Sequence, residues 1–132
     1  MLFGLKTVAF FDLWSIEHFF AGVSLGGFCL ASKKLESSQS KILFFLLMCF
    51  IWEALEHYLE TGLLGSGVEY WFQGVEFWGN RLITDPLLMI LGYVLAVKNK
   101  RSILYARIFS FIWIFLHVFI FPHSMWLQEN YT

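Results

Sequence analysis

Glu53, Glu56, His57 and Glu60 stand at i, i+3, i+4 and i+7 of the segment KILFFLLMCFIWEALEHYLETG. On a helix that spacing gathers all four on one face. The residues just before them, Ile42 to Trp52, are purely apolar. Ionisable groups at membrane depth are costly, and those that persist face a protein interior, a partner or water. Carboxylates and imidazoles are ligands for Zn²⁺, Fe and Mn²⁺. A protonated carboxyl beside a histidine also suits general acid–base catalysis or proton relay. Glu53, Glu56 and His57 are therefore candidate catalytic groups. Glu53 and His57, one turn apart, are candidate ligands of a single ion, and Glu60 is expected to reach the outer interface.

Other segments carry residues of the same kind. His18, Asp85 and His117 each lie in an apolar run, and Glu17 precedes His18. Measured from the nearest basic loop at ~1.5 Å per residue, His18, Glu56, His57, Asp85 and His117 fall ~20–24 Å up, and Glu53 ~18 Å. All four runs thus deliver an acid or an imidazole to one layer. A metal centre drawn from His18, Glu53, His57, Asp85 and His117 would assemble as centres in helical bundles do. Zn, Fe and Mn are the candidate ions. Asp85 joins Glu53, Glu56 and His57 in the metal-free, acid–base reading. Arg81, Asn80 and Glu76 are candidate substrate contacts, Arg81 as a bidentate donor to an anionic head group. The bland alternative is a polar network that locks the helices together, with Arg81 and Asp85 paired at i and i+4. No HExxH motif and no repeated ExxH pair is present.

The elements that must position these groups follow from composition. The chain has 132 residues, 58% hydrophobic and 20% aromatic, with a net charge of −1. That is too apolar for a soluble domain of this size. The absence of a basic face excludes a nucleic-acid partner. Cys29 and Cys49, both in apolar runs, read as small buried hydrophobes. One all-α polytopic membrane domain is expected. It has four transmembrane helices in a bundle, at about 13–31, 41–61, 81–97 and 102–121, each near the ~20 residues needed to cross. Lys6 and the run ending at Ala31 faintly resemble a signal peptide, but Asp12, Glu17 and His18 interrupt it. Residues 1–12 read as an interfacial lead-in to a retained helix.

Loop charge orients the bundle. Lys33, Lys34 and Lys41 lie in the first connection, and Lys98, Lys100 and Arg101 in the third. The positive-inside rule places loops 32–41 and 98–101 in the cytoplasm and both termini outside. In the middle connection Val68, Trp71, Phe72, Val75 and Trp78 recur at helical spacing, which predicts an amphipathic interfacial helix over about 67–79. Its sharper reading is a lid with Glu76 dipping inward. From Pro86 to Val97 is too short to span, so the third helix is expected to start well before Asp85 and to kink near Pro86. Gly22 and Gly26 form a GxxxG pair that supports close helix approach and an inward His18.

The stretches His18-Phe19-Phe20-Ala21-Gly22, Trp52-Glu53-Ala54-Leu55-Glu56, and Asp85 with Gly92 are similar to motifs of the VanZ-like and YjdF-like group of small polytopic bacterial membrane proteins. The resemblance spans about residues 12–95. It implies a membrane helical bundle with loose envelope associations, and it carries no activity across.

The residues point to a membrane-embedded enzyme or binding protein acting on a lipid-type or envelope substrate from the outer leaflet. The alternatives are a non-catalytic subunit of a larger membrane complex, a homo-oligomer included, and a proton or cation transporter. The apolar inner halves of the second and fourth runs argue against a continuous transport path.

Overall fold

In the computed structural model, which describes residues 1–131, the chain is all-helical, and the described residues form no strand beyond an isolated bridge between Phe3 and Phe11. The first helix, α1 (Trp14–Ala31), is started by a reciprocal pair. The Asp12 carboxylate accepts from the Ser15 N–H at 2.9 Å, and the Ser15 hydroxyl accepts from the Asp12 N–H at 3.1 Å. Each side chain satisfies a backbone donor that the helix start leaves open. α2 (Ser38–Glu60) is capped by Ser37, whose hydroxyl accepts from the Ser40 N–H at 3.0 Å.

A short α3 (Ser66–Phe72) follows, with no buried residue. It is shorter than the helix expected over 67–79. Gln73 turns left-handed at φ 59° and Gly74 at φ 100°, which ends the helix. Residues beyond it fold inward, where Phe77 donates to the Lys6 carbonyl at 2.9 Å and Glu76 is buried. A π-helical turn (Asn80–Thr84) runs directly into α4 (Asp85–Lys98). The irregularity expected at Pro86 thus falls in the turn before it. Proline has no N–H to give to the preceding turn and crowds it, and the Asp85 N–H reaches back five residues to the Asn80 carbonyl. α5 (Arg101–Phe115) continues through a second π-turn (Leu116–Ile120), and α6 (Trp126–Tyr131) closes the described chain.

α1 and α4 pack most closely. A Cβ placed on Gly22 would fall into the backbone of Met89, and one on Gly92 into the backbone of Phe19. Gly26 faces Ala96 and Tyr93 on the same seam. The small residues of α1 therefore do bring two backbones together. Below this crossing the interior is apolar: Cys29, Phe45, Cys49 and Met89 in one cluster, Val23, Ala96 and Ala106 in another. Gly92→Ala is expected to force the two helices apart and to lower stability by about 1–3 kcal/mol, as overpacking does. Thermal unfolding in neutral detergent checks this, and an unchanged midpoint would count against the seam.

Among the described residues, three helices are long and apolar enough to cross a membrane: Ser38–Glu60, Asn80–Lys98 and Arg101–Ile120. Their outward residues, such as Leu43, Leu47, Leu87, Leu104 and Phe111, are more than half exposed. That is an outer surface suited to hydrocarbon. The N-terminal segment does not lie apart as a lead-in. Lys6 and Asp12 are buried, and Gln128 of α6 clamps the segment by donating to the Gly4 carbonyl and accepting from the Leu13 N–H.

Candidate metal centre and its acidic surround

His18, Glu53 and Asp85 meet inside the protein from three helices. His18 sits in the second turn of α1, Glu53 two turns from the end of α2, and Asp85 at the start of α4 beside the π-turn. The His18 Nδ1 is 3.5 Å from Glu53 Oε1, and its Nε2 is 3.3 Å from Asp85 Oδ2. Glu53 is 2% exposed and Asp85 0%. None of their four carboxylate oxygens accepts a hydrogen bond from the described residues. One ligand atom from each residue falls within 4.8 Å of the others, a grouping able to hold a metal ion. The seam explains the placement: Gly22 is one turn from His18, and its close approach to Met89 brings His18 to the start of α4.

Arg81, in the π-turn, is the hub of a second cluster. Its guanidinium pairs with Glu60, lies 3.4 Å from Glu76 Oε2 and 3.8 Å from Glu53 Oε2, and meets His57 Nδ1 at 3.1 Å. Arg81 thus pairs with the protein's own carboxylates, and with His57, Glu76 and Trp78 it also lines a second cavity of about 480 Å³. Glu60, expected at the interface, is 1% exposed. Its other oxygen takes Lys6 Nζ at 2.5 Å, and it accepts the Glu76 N–H at 3.0 Å. Asn80 donates to both Glu76 Oε1, at 2.7 Å, and Asp12 Oδ2, at 3.2 Å.

Burial raises the Asp12 carboxyl above its ordinary range, against the Ser15 N–H and Lys6. Glu76 is pushed up to about 8, first by burial and then by the carboxylates of Glu56 and Asp12, which together outweigh Arg81. The sign follows directly. The unfolded Glu76 ionises near 4.5, while the folded one holds its proton to about 8. Its contribution to stability is complete below 4.5 and declines as pH rises toward 8. Glu76→Gln is expected to flatten the fall in melting temperature between pH 5 and pH 8.5, and to leave the variant more stable than the parent at pH 8.5. Parallel slopes for the two proteins would refute this.

The remaining expected residues are distributed around these clusters. Glu56 is half-buried and lines a cavity of about 370 Å³ shared with Glu17, His18, Asp12, Glu76 and four aromatic residues. His57 is exposed on α2 and joins Arg81, not the His18 group. His117 is buried but turned elsewhere: its Nδ1 lies 2.8 Å from the Trp113 carbonyl, and its ring packs among Trp14, Trp113 and Phe121. His123 is also buried, with its Nε2 3.6 Å from Glu129 Oε2. Lys6 and Asp12 join these clusters through Glu60 and Asn80, although the sequence reading placed them outside the layer. The one available signal was that Lys6 is the sole basic residue before Lys33.

Comparison of the chain with protein-family models, with curated proteins and with solved structures returns no match, so the geometry itself must carry the functional reading.

Proposed function

We propose that the chain is a polytopic membrane protein whose His18–Glu53–Asp85 centre holds a divalent ion in the outer half of the bilayer and acts on a lipid-type substrate. One observation carries the reading: two buried carboxylates, with no hydrogen bond to any of their oxygens from the described residues, converge on one imidazole. A neutral imidazole has a single N–H, yet both ring nitrogens face carboxylates. Buried charges of one sign are tolerated when paired or when they coordinate a metal. One nitrogen and two carboxylates form a donor set for Zn, Fe or Mn, and three protein ligands leave a position open for water or substrate. Such an ion, when bound, polarises a carbonyl or phosphoryl oxygen or lowers the pKa of a bound water.

The protein's own groups then have distinct tasks. Glu53 and Asp85 would hold the ion together with one nitrogen of His18. Arg81 tethers Glu53 to the Glu60–Glu76 cluster. Glu56, half-buried on the cavity wall, is placed to take or give a proton there. In this reading α1 is the fourth crossing, α3 lies at the outer interface, and loops 32–41 and 98–101 face the cytoplasm. The apolar inner half, around Phe45, Met89, Val23 and Ala96, gives no polar path for a transported ion. The motifs shared with the VanZ-like and YjdF-like group are in keeping with this placement, since His18, Glu53 and Asp85 all fall in them.

Metal analysis of protein purified in neutral detergent, without chelator, tests the reading. About one ion of Zn, Fe or Mn per chain is expected. Adding a strong chelator should lower the melting temperature, because a ligand at ~1,000 times its Kd stabilises by about 4 kcal/mol. Metal-free protein that gains no stability from any of the three ions would end the proposal.

A further inference from the structure

The cavity beside the metal centre has a composition of its own. Four carboxylate residues line it, Asp12, Glu17, Glu56 and Glu76, against one ammonium, Lys6. That ammonium is already paired, 2.5 Å from Glu60. Glu17 is the residue that points to a ligand. It is 8% exposed, lines the cavity, and its Oε2 has no hydrogen-bond partner among the described residues. Trp14, Trp52 and Trp71 supply aromatic walls. A buried carboxylate among aromatic faces suits an alkylated ammonium, which is attracted by both the charge and the ring quadrupoles. An ionised Glu17 repels an anionic head.

The cavity also has an apolar side. Trp52 on α2, Ile114 on α5 and Val118 on the π-turn after it line it while remaining 46–47% exposed on the outer surface. A ligand held there meets carboxylates at one end and the lipid-facing surface at the other. At about 370 Å³ it is at the small end of ligand sites, which run ~300–1,000 Å³, and so accommodates a head group rather than a whole lipid.

We propose that this cavity binds the ammonium head of a cationic or zwitterionic amphiphile, held by Glu17 between Trp14, Trp52 and Trp71, with its chain leaving between α2 and α5 with its π-turn. The inference deepens the metal-centre reading and rests on it for the position of the cavity in the bilayer. His18 belongs both to the cavity wall and to the ion group, so a bound head is presented directly to that centre.

Isothermal titration of the purified full chain in dodecyl maltoside is the test, with dodecyltrimethylammonium, choline and dodecyl sulfate as probes. Saturable binding of dodecyltrimethylammonium is expected, with choline binding at least tenfold more weakly and dodecyl sulfate showing no saturable binding. Choline binding as tightly as the amphiphile would replace the lipid source with a soluble amine and overturn the chain-exit part. Glu17→Gln should weaken dodecyltrimethylammonium at least tenfold while its metal content stays at the parent level. Trp52→Ala should weaken it severalfold and Trp52→Phe much less. Trp52 is half-exposed, so this pair keeps the test decisive if Glu17→Gln does not fold. Equal binding of cationic and anionic probes, or unchanged affinity in the variants, overturns the inference. If binding fails while metal is retained, only this inference falls; if metal is absent while binding persists, only the metal reading falls.

Discussion

A His18→Ala protein is expected to keep its helices and to lose its metal. Alanine is the strongest helix former, so α1 is not weakened at this position. The neighbouring seam of Gly22, Gly26 and Gly92 is untouched. What disappears is the single nitrogen of the ion group, leaving the Glu53 and Asp85 carboxylates to hold the ion alone. Loss of a second-shell partner typically costs 10–100-fold in metal affinity, so loss of a ligand should exceed ~100-fold. Titration against a competing chelator measures this directly. Glu53→Gln, nearly the same size, should give a loss of the same order. Both variants retaining metal at parental affinity would place the ion elsewhere.

The gathering of His18, Glu53 and Asp85 was legible in the sequence, and the facing of the other expected residues was not. Rise per residue is fixed in a helix, so the levels of His18, Glu53, Asp85 and His117 could be counted from the basic loops. Which face of each helix meets which neighbour depends on packing. Glu53 and Glu60, seven residues apart on α2, both turn inward, whereas His57 between them is exposed. His117 is buried but faces Trp14 and Trp113. The α1–α4 seam was legible through Gly22 and Gly26, because small residues at helical spacing have few other uses in an apolar helix. The irregular third helix was legible through Pro86, within a turn. Lys6 was not, since its partner Glu60 lies 54 positions away and non-periodic loops give no pattern to read. The end of α3 at Phe72 was missed for a related reason: the apolar spacing of Val75 and Trp78 continues past a left-handed Gln73.

Arg81→Met should be the most destabilising single change that leaves packing volume nearly intact. Arg81 is buried, and its guanidinium serves Glu60, Glu76, Glu53 and His57 together. Removing one partner of a buried ion pair costs about 3–5 kcal/mol, because the other charge stays behind uncompensated. At roughly 2–8 °C per kcal/mol for a domain in this size range, the melting temperature should fall by on the order of 10–20 °C. The partners do not suffer equally. Glu60 keeps Lys6 and the Glu76 N–H, whereas Glu76 is left with only Asn80. Glu76→Gln in the Arg81→Met background should therefore recover more than half of the loss, since the Gln carbonyl still accepts from Asn80. The Glu76 carboxyl already titrates near 8 with Arg81 present, and without that cation it must hold its proton more tightly still. The penalty of Arg81→Met should accordingly be smaller at pH 6, where Glu76 is neutral in both proteins, than at pH 8.5. Equal losses at the two pH values, with no gain from Glu76→Gln, would show that Arg81 acts through packing alone and that the acidic cluster does not depend on it for charge.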